Sequence, residues 1–359
     1  MAWSKAFLAQ NGAKALAKNF DPCGKNVDRA AKFTDRYGAH LGEVGKREEL
    51  ESAVLNAYRV PLEDIVKGKG RYEEGNRFGD KWAQAVDAKG SNLCIGLDPV
   101  EYWQRQDKTL PQDVHKLEWC LDYLAKVAPF AAAVKPNRKF VADLSRGDRQ
   151  LLTQHIRKLG MVSIDDEKLP DIGDTNDSGL YHTWIEGYDA VTYSPFPGNL
   201  KEVAQQAHKR GLGVIGMCIM SNPEHKREKN KLVPLEGDEQ CTFHPAHVTQ
   251  VDGVAHVKQY VFLADQAARH GWDGIVIGAP SKKNHITKDE IETIRGYAGP
   301  AMKVLMPGIG TQQGEAQLIT DIFGWKNVIA IVGSAVMYAK DPVTEARKYF
   351  DMLNSLRTK

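Results

Sequence analysis

The sequence is short of the features that would give its function away cheaply. Its five cysteines, Cys23, Cys94, Cys120, Cys218 and Cys241, are scattered, and no two form a C-x-x-C pair. An odd, dispersed set argues against a disulfide framework or a compact zinc site and for reduced thiols in a cytoplasm. No apolar run approaches the ~18 residues that a bilayer span needs. The opening Met1-Ala2-Trp3-Ser4-Lys5 lacks the apolar core and small-residue cleavage site of a secretory signal, so no membrane partner is expected. Charge of one sign is also missing. Lysine and arginine number 48 against 46 acids, a formal net charge of +2, which excludes the broad basic surface of a nucleic-acid binder. No G-x-G-x-x-G follows the first apolar run, which removes the usual dinucleotide reading.

What is present is a soluble, enzyme-like composition, with 42% hydrophobic and 26% charged residues in 359. Residues 1–75 read as a polar, helical N-terminal extension, ending in the Gly-rich, charged stretch Lys67 to Gly75. From residue 76 the character changes, and short apolar runs alternate with helical patterns to the end of the chain. Eight runs read as strands: Leu93–Gly96, Ala131–Val134, Met161–Ile164, Ala190–Thr192, Gly213–Met217, Gly274–Ile277, Met302–Leu305 and Val328–Val332. Amphipathic segments such as 114–127, 200–210, 256–270 and 288–297 separate them. Eight β-then-α units in succession predict a (β/α)8 TIM barrel over 76–359, with a doubly wound open sheet as the alternative.

In a barrel, chemistry sits at the C-terminal ends of the strands. Polar residues fall there repeatedly: Asp98, Lys135, Asp166 and Lys168, Ser221 and Asn222, then Gly308, Gly310 and Gln312, and finally Gly333 and Ser334. The densest stretch is Ser163 to Thr175. Strand alternation sends Asp166 and Lys168 to one face, and Asp171 follows three residues later. Such an array can hold an ammonium beside a reacting carbon and keep it charged. A solvated charged loop is the plain alternative. The longest interruption, 224–256, contains His244, His247 and His256. Their spacing fits no compact zinc pattern. The segment reads instead as a mobile lid over the pocket.

Several ordered pieces resemble the orotidine 5′-monophosphate decarboxylase family. Gly96-Leu97-Asp98-Pro99 looks like its first-strand GLDP, and Val134-Lys135-Pro136-Asn137 like its second-strand lysine. Asp166 to Ile172 fits its D-x-K-x-x-D-I signature, with Thr175 where the family also has threonine. Asp189-Ala190-Val191-Thr192 is similar to its fourth strand and Ser221-Asn222-Pro223 to its pyrimidine-recognising turn. Pro307 to Gln312 resembles its PGxGxQ phosphate loop. The likeness covers roughly 78–350. D-x-K-x-x-D alone is shared with sugar-phosphate decarboxylases of the same superfamily, and the combination is more specific.

The resemblance implies decarboxylation of orotidine monophosphate to uridine monophosphate without metal or organic cofactor. Lys168 would protonate C6 of the pyrimidine as carbon dioxide leaves. Asp166 would lie beside the substrate carboxylate, and Lys135 would link Asp166 to the ribose. Asp171 and Thr175 would cross a homodimer interface into the partner's site. Asp98 would bind a ribose hydroxyl, and Ser221 with Asn222 the pyrimidine edge. Gln312 and the backbone at Gly308, Gly310 and Gly333 would hold the 5′-phosphate. The sequence departs from the family at Ser334, where an arginine usually grips the phosphate as a bidentate pair. Lys282 and Lys283 are candidate replacements, as are backbone amides of the two Gly-rich turns. The departure leaves two other readings open: a decarboxylase of a related nucleoside or altered nucleotide, and a non-catalytic barrel used for binding or assembly. A metal-dependent sugar-phosphate decarboxylase is a weaker enzyme alternative.

Overall fold

A computed structural model of the chain describes residues 77–281, 284–309 and 316–357. The expected N-terminal extension, Lys282, Lys283, Gly310 and Gln312 lie outside the described residues. Eight parallel strands close into a barrel. They are β1 (Leu93–Leu97), β2 (Ala133–Pro136), β3 (Val162–Leu169), β4 (Ala190–Tyr193), β5 (Gly213–Ile219), β9 (Gly274–Ile277), β10 (Lys303–Met306) and β11 (Val328–Val332). The pairing order β1-β11-β10-β9-β5-β4-β3-β2 returns on itself, so no edge remains exposed. All eight expected strands are present, and the open-sheet alternative is gone.

The helices of the outer layer include α2 (Lys116–Val127), α3 (Arg146–Lys158), α4 (Gly173–Ile185), α5 (Leu200–His208), α7 (Gln259–Arg269), α8 (Lys288–Ala298), α9 (Ala316–Phe323) and α11 (Pro342–Ser355). Strand alternation divides the apolar residues between two cores. Cys94, Ala133, Ile164, Ala190, Ile215 and Val276 point inward, where they meet Phe78, Trp82 and Val86 of α1 (Phe78–Lys89). This first helix therefore plugs the N-terminal end of the barrel. Its Trp82 is fully buried, and the indole N–H donates to the Lys326 carbonyl at 2.8 Å. Outward-facing strand residues pack under the helices.

Two sequence expectations change. β2 and β3 both run further than the apolar pattern suggests. Lys135 is thus part of β2, and Asp166 and Lys168 are part of β3, rather than residues of the loops beyond. Residues 224–256, expected as a lid, fold into a lobe. A short helix α6 (His225–Glu228) leads into an antiparallel sheet of β6 (Leu232–Pro234), β8 (Val254–Lys258) and β7 (Val248–Val251). Phe243 and Val257 are buried in the main core. The His244 backbone N–H donates to the Tyr297 hydroxyl of α8 at 2.9 Å, and His247 Nδ1 meets the same hydroxyl at 2.9 Å. Those histidines serve the lobe's attachment, and among the described residues no group of three or more His, Cys, Asp or Glu converges as a metal site would.

Because α1 caps the barrel interior with one large ring, Trp82→Ala is expected to cost roughly 3–5 kcal/mol of stability. Denaturant unfolding measures this, and an unchanged midpoint would show that α1 is not part of the folding unit.

Candidate active site

The site starts at the exit of β2 and β3. Val162, Ile164 and Asp166 share the inward face of β3, so the strand delivers one carboxylate to the barrel mouth above an apolar floor. The neighbouring strand supplies Lys135, whose ammonium forms a short ion pair with Asp166 Oδ2. Lys168 Nζ reaches Asp166 Oδ1 at 2.5 Å. Asp166 is 6% exposed and Lys135 8%, whereas the Lys168 side chain is 44% exposed at the rim. One buried carboxylate thus carries two ammonium groups.

The backbone is bent to make this possible. The register between β3 and β4 shifts between Asp165 and Leu169, and Lys168 has a left-handed φ of 55°. A long side chain rarely adopts that region. Here the Lys168 N–H donates to Thr192 Oγ1 at 2.9 Å, and the same hydroxyl donates to Asp166 Oδ1 at 3.2 Å. Thr192, on β4, is a residue that the charge pattern did not single out for this work.

Burial raises the Asp166 carboxyl, but Lys135 and Lys168 together outweigh it and hold the group down at about 2. Burial likewise works against the Lys135 charge, and Asp166 and Asp98 outweigh it, so its ammonium is held above the ordinary range. Asp98 follows β1 and faces this pair. Burial pushes its carboxyl up, with Lys135 opposing. Its Oδ1 is buried and finds no hydrogen-bond partner among the described residues. Tyr338 fixes the adjoining backbone, donating to the Asp98 carbonyl and accepting from the Val100 N–H, each at 2.9 Å.

The other expected residues that the structure describes lie after β3, β5, β10 and β11. Ser221 and Asn222 follow β5. His225 Nδ1 accepts from the Met220 N–H at 3.2 Å, and His285 Nε2 lies 3.0 Å from the Asn222 carbonyl. Gly333 follows β11 and lies against β1, where a side chain on Gly96 would meet the Gly333 Cα at 3.1 Å. Ser334 opens the four-residue α10 (Ser334–Met337), and Gly308, two residues beyond β10, has φ 103°. Asp171 and Thr175 are exposed, and Asp171 forms no ion pair among the described residues of the single chain. Its carboxylate accepts from the Ile172 N–H at 2.9 Å.

A family model described as Orotidine 5′-phosphate decarboxylase / HUMPS family matches residues 91–349. The chain belongs to this family. It is 30% identical over 271 residues to the orotidine 5′-phosphate decarboxylase of Variovorax paradoxus, covering 73% of this chain and 90% of that protein. It is likewise 30% identical over 272 residues to that of Corynebacterium glutamicum, covering 69% and 84%. The solved OMP decarboxylase of Leishmania donovani shares the fold, with a TM-score of 0.56 at 21% identity, covering 77% of this chain and 98% of that one. In this member of the decarboxylase family the matched span takes in every strand of the barrel.

The depressed Asp166 carboxyl has a consequence for stability. Its folded value of about 2 lies below the ordinary 3.8, so its contribution is fully present above about pH 4 and is lost as pH falls towards 2. Replacing Asp166 by Asn should remove that acid-side dependence and destabilise the protein at neutral pH, because Lys135 is left buried and unpaired. Thermal melts of both proteins between pH 2 and pH 7 test this; parallel profiles would contradict it.

Proposed function

We propose that this chain is an orotidine 5′-phosphate decarboxylase that forms uridine monophosphate without metal or organic cofactor, in pyrimidine synthesis. The observation that carries this reading is the Lys168 ammonium, 2.5 Å from a buried carboxylate at the barrel rim. Decarboxylation breaks the bond between C6 and the carboxylate and leaves the electron pair on C6. The pyrimidine offers that pair no ready sink, so a fixed cation beside the carbon lowers the barrier. Lys168 then transfers a proton to C6, and its neutral amine is reprotonated from solvent. Lys135 and Asp166 hold the ammonium in place. Asp98 and its unpartnered buried oxygen suit a ribose hydroxyl. Ser221 and Asn222 would read the base, and Gly308, Gly310, Gln312, Gly333 and Ser334 would surround the phosphate.

The active unit is proposed to be a homodimer. Exposure of Asp171 and Thr175 in the single chain is consistent with their entering a partner's site. A cytoplasmic setting fits the buried free thiols Cys94, Cys120 and Cys218. No helix among the described residues is long and apolar enough to cross a membrane.

Purified protein should release carbon dioxide from orotidine 5′-phosphate with a chelator present. Orotidine itself should react far more slowly if the remote phosphate supplies binding energy to the transition state. A preference for the unphosphorylated nucleoside would assign the chain to a different substrate and give Ser334 its meaning. Lys168→Ala should lower turnover by roughly 100- to 10,000-fold with the fold intact. Unchanged turnover in that variant would refute the role of Lys168.

A further inference from the structure

Asp166 has an acidic neighbour, Asp165, on the opposite face of β3 and fully buried. Its partner is Arg138, which leaves the β2 exit three residues after Lys135. The Arg138 Nη2 forms a short ion pair with Asp165 Oδ2, and Nε donates to Oδ1 at 3.2 Å, so the guanidinium grips the carboxylate with both arms. Its Nη1 reaches Glu186, just after α4, at 2.5 Å, and its Nε lies 3.5 Å from Glu167. Glu186 is in turn held by Arg149 of α3 at 2.9 Å. Thr183 of α4 donates to Asp165 at 2.9 Å, and the Tyr188 ring lies against the guanidinium at 5.6 Å. Two arginines face two buried acids, so the charges balance inside the helix layer. Burial raises the Asp165 carboxyl, to about 6, and Arg138 acts against that rise.

This group faces the helix layer, yet it abuts Asp166 through the backbone. The Arg138 N–H approaches the Asp166 carbonyl at 3.4 Å, and Asn137 bridges Asp166 across the same gap. The strand is weakest here, because regular pairing with β4 lapses between Asp165 and Leu169. Adjacent residues of a strand share a peptide plane, so a carboxylate released on one face lets its neighbour swing on the other.

We propose that Arg138 is a positioning residue: it clamps Asp165 from outside the barrel and thereby fixes Asp166 and Lys168 within it. Lys135 holds the inner acid and Arg138 the outer one, both from the exit of β2. This inference rests on the decarboxylase reading for its effect on turnover, but not for its effect on Asp166.

The test uses Arg138→Lys and the double variant Arg138→Gln with Asp165→Asn. Lysine keeps the charge but loses the fork. The double variant removes one charge of each sign and leaves no buried acid unpaired, so it answers the question if the single variant misfolds. In folded variants kcat should drop roughly 10- to 100-fold, the scale of a misplaced catalytic group, with KM within about threefold. The carbon-13 titration of the Asp166 carboxyl should move up from about 2 towards the ordinary 3.8. Neither variant changes the net charge, so that movement reports geometry. An unchanged Asp166 titration in a folded variant overturns the proposal, whatever the turnover. If the wild-type protein fails to turn over orotidine 5′-phosphate, the functional reading falls, while the Asp166 titration still decides the role of Arg138.

Discussion

One buried carboxylate shared by two ammonium groups is the constraint on which the site depends. Asp166 could not remain ionised at 6% exposure without a counter-charge, and Lys135 could not remain charged at 8% without Asp166. Each makes the other tolerable. The second ammonium, Lys168, then leaves the inner cluster with one positive charge in excess. Asp98, whose carboxyl burial pushes up with Lys135 opposing, faces the same pair. An ammonium fixed at such a rim favours negative charge that grows beside it during reaction.

The barrel's details serve that arrangement. β3 carries apolar Val162 and Ile164 low in the barrel and Asp166 at the rim, so the same alternation that builds the floor delivers the acid. The lapse in pairing beyond Asp165 and the left-handed Lys168 distort the strand where residues two apart touch, before parallel pairing resumes at Leu169. A regular strand would hold those side chains parallel and apart. The cost of that distortion is offset by the Thr192 hydroxyl, which serves both the Lys168 backbone and the Asp166 side chain.

Much of this was legible before the structure. Periodicity alone located the eight strands, because each is a short apolar run between polar turns, and the strand-end rule gathered Asp98, Lys135, Asp166 and Lys168 on one rim. Strand lengths were not legible. Lys135 and Asp166 look like loop residues because they are charged, and only a cross-strand partner makes a charge compatible with a strand interior. Arg138, Asp165 and Glu186 were missed for a related reason. They are far apart in sequence, 27 and 48 residues between partners, and each alone reads as a solvated charge. The available signal was the Asp165-Asp166 pair itself: two acids in succession on a buried strand require cations on both of its faces. The lobe at 224–256 was misread because its strands are short and largely exposed, giving no apolar run to detect.

That lobe raises a physical difficulty at the rim, since a large insertion directly after Ser221 and Asn222 should loosen a turn that must hold a substrate. Lys229 removes the difficulty. It is 2% exposed, pairs with Glu290 of α8 at 2.6 Å and donates to the His285 carbonyl at 2.6 Å. His285 then contacts the Asn222 carbonyl, and His225 receives the Met220 N–H. The turn is therefore braced both from the neighbouring β9 exit, through His285, and from the root of the lobe, through His225. A buried ammonium so held cannot shift without stranding Glu290, which ties the root of the lobe to α8. The barrel can thus bear an added lobe at its mouth while the residues that precede it keep their place.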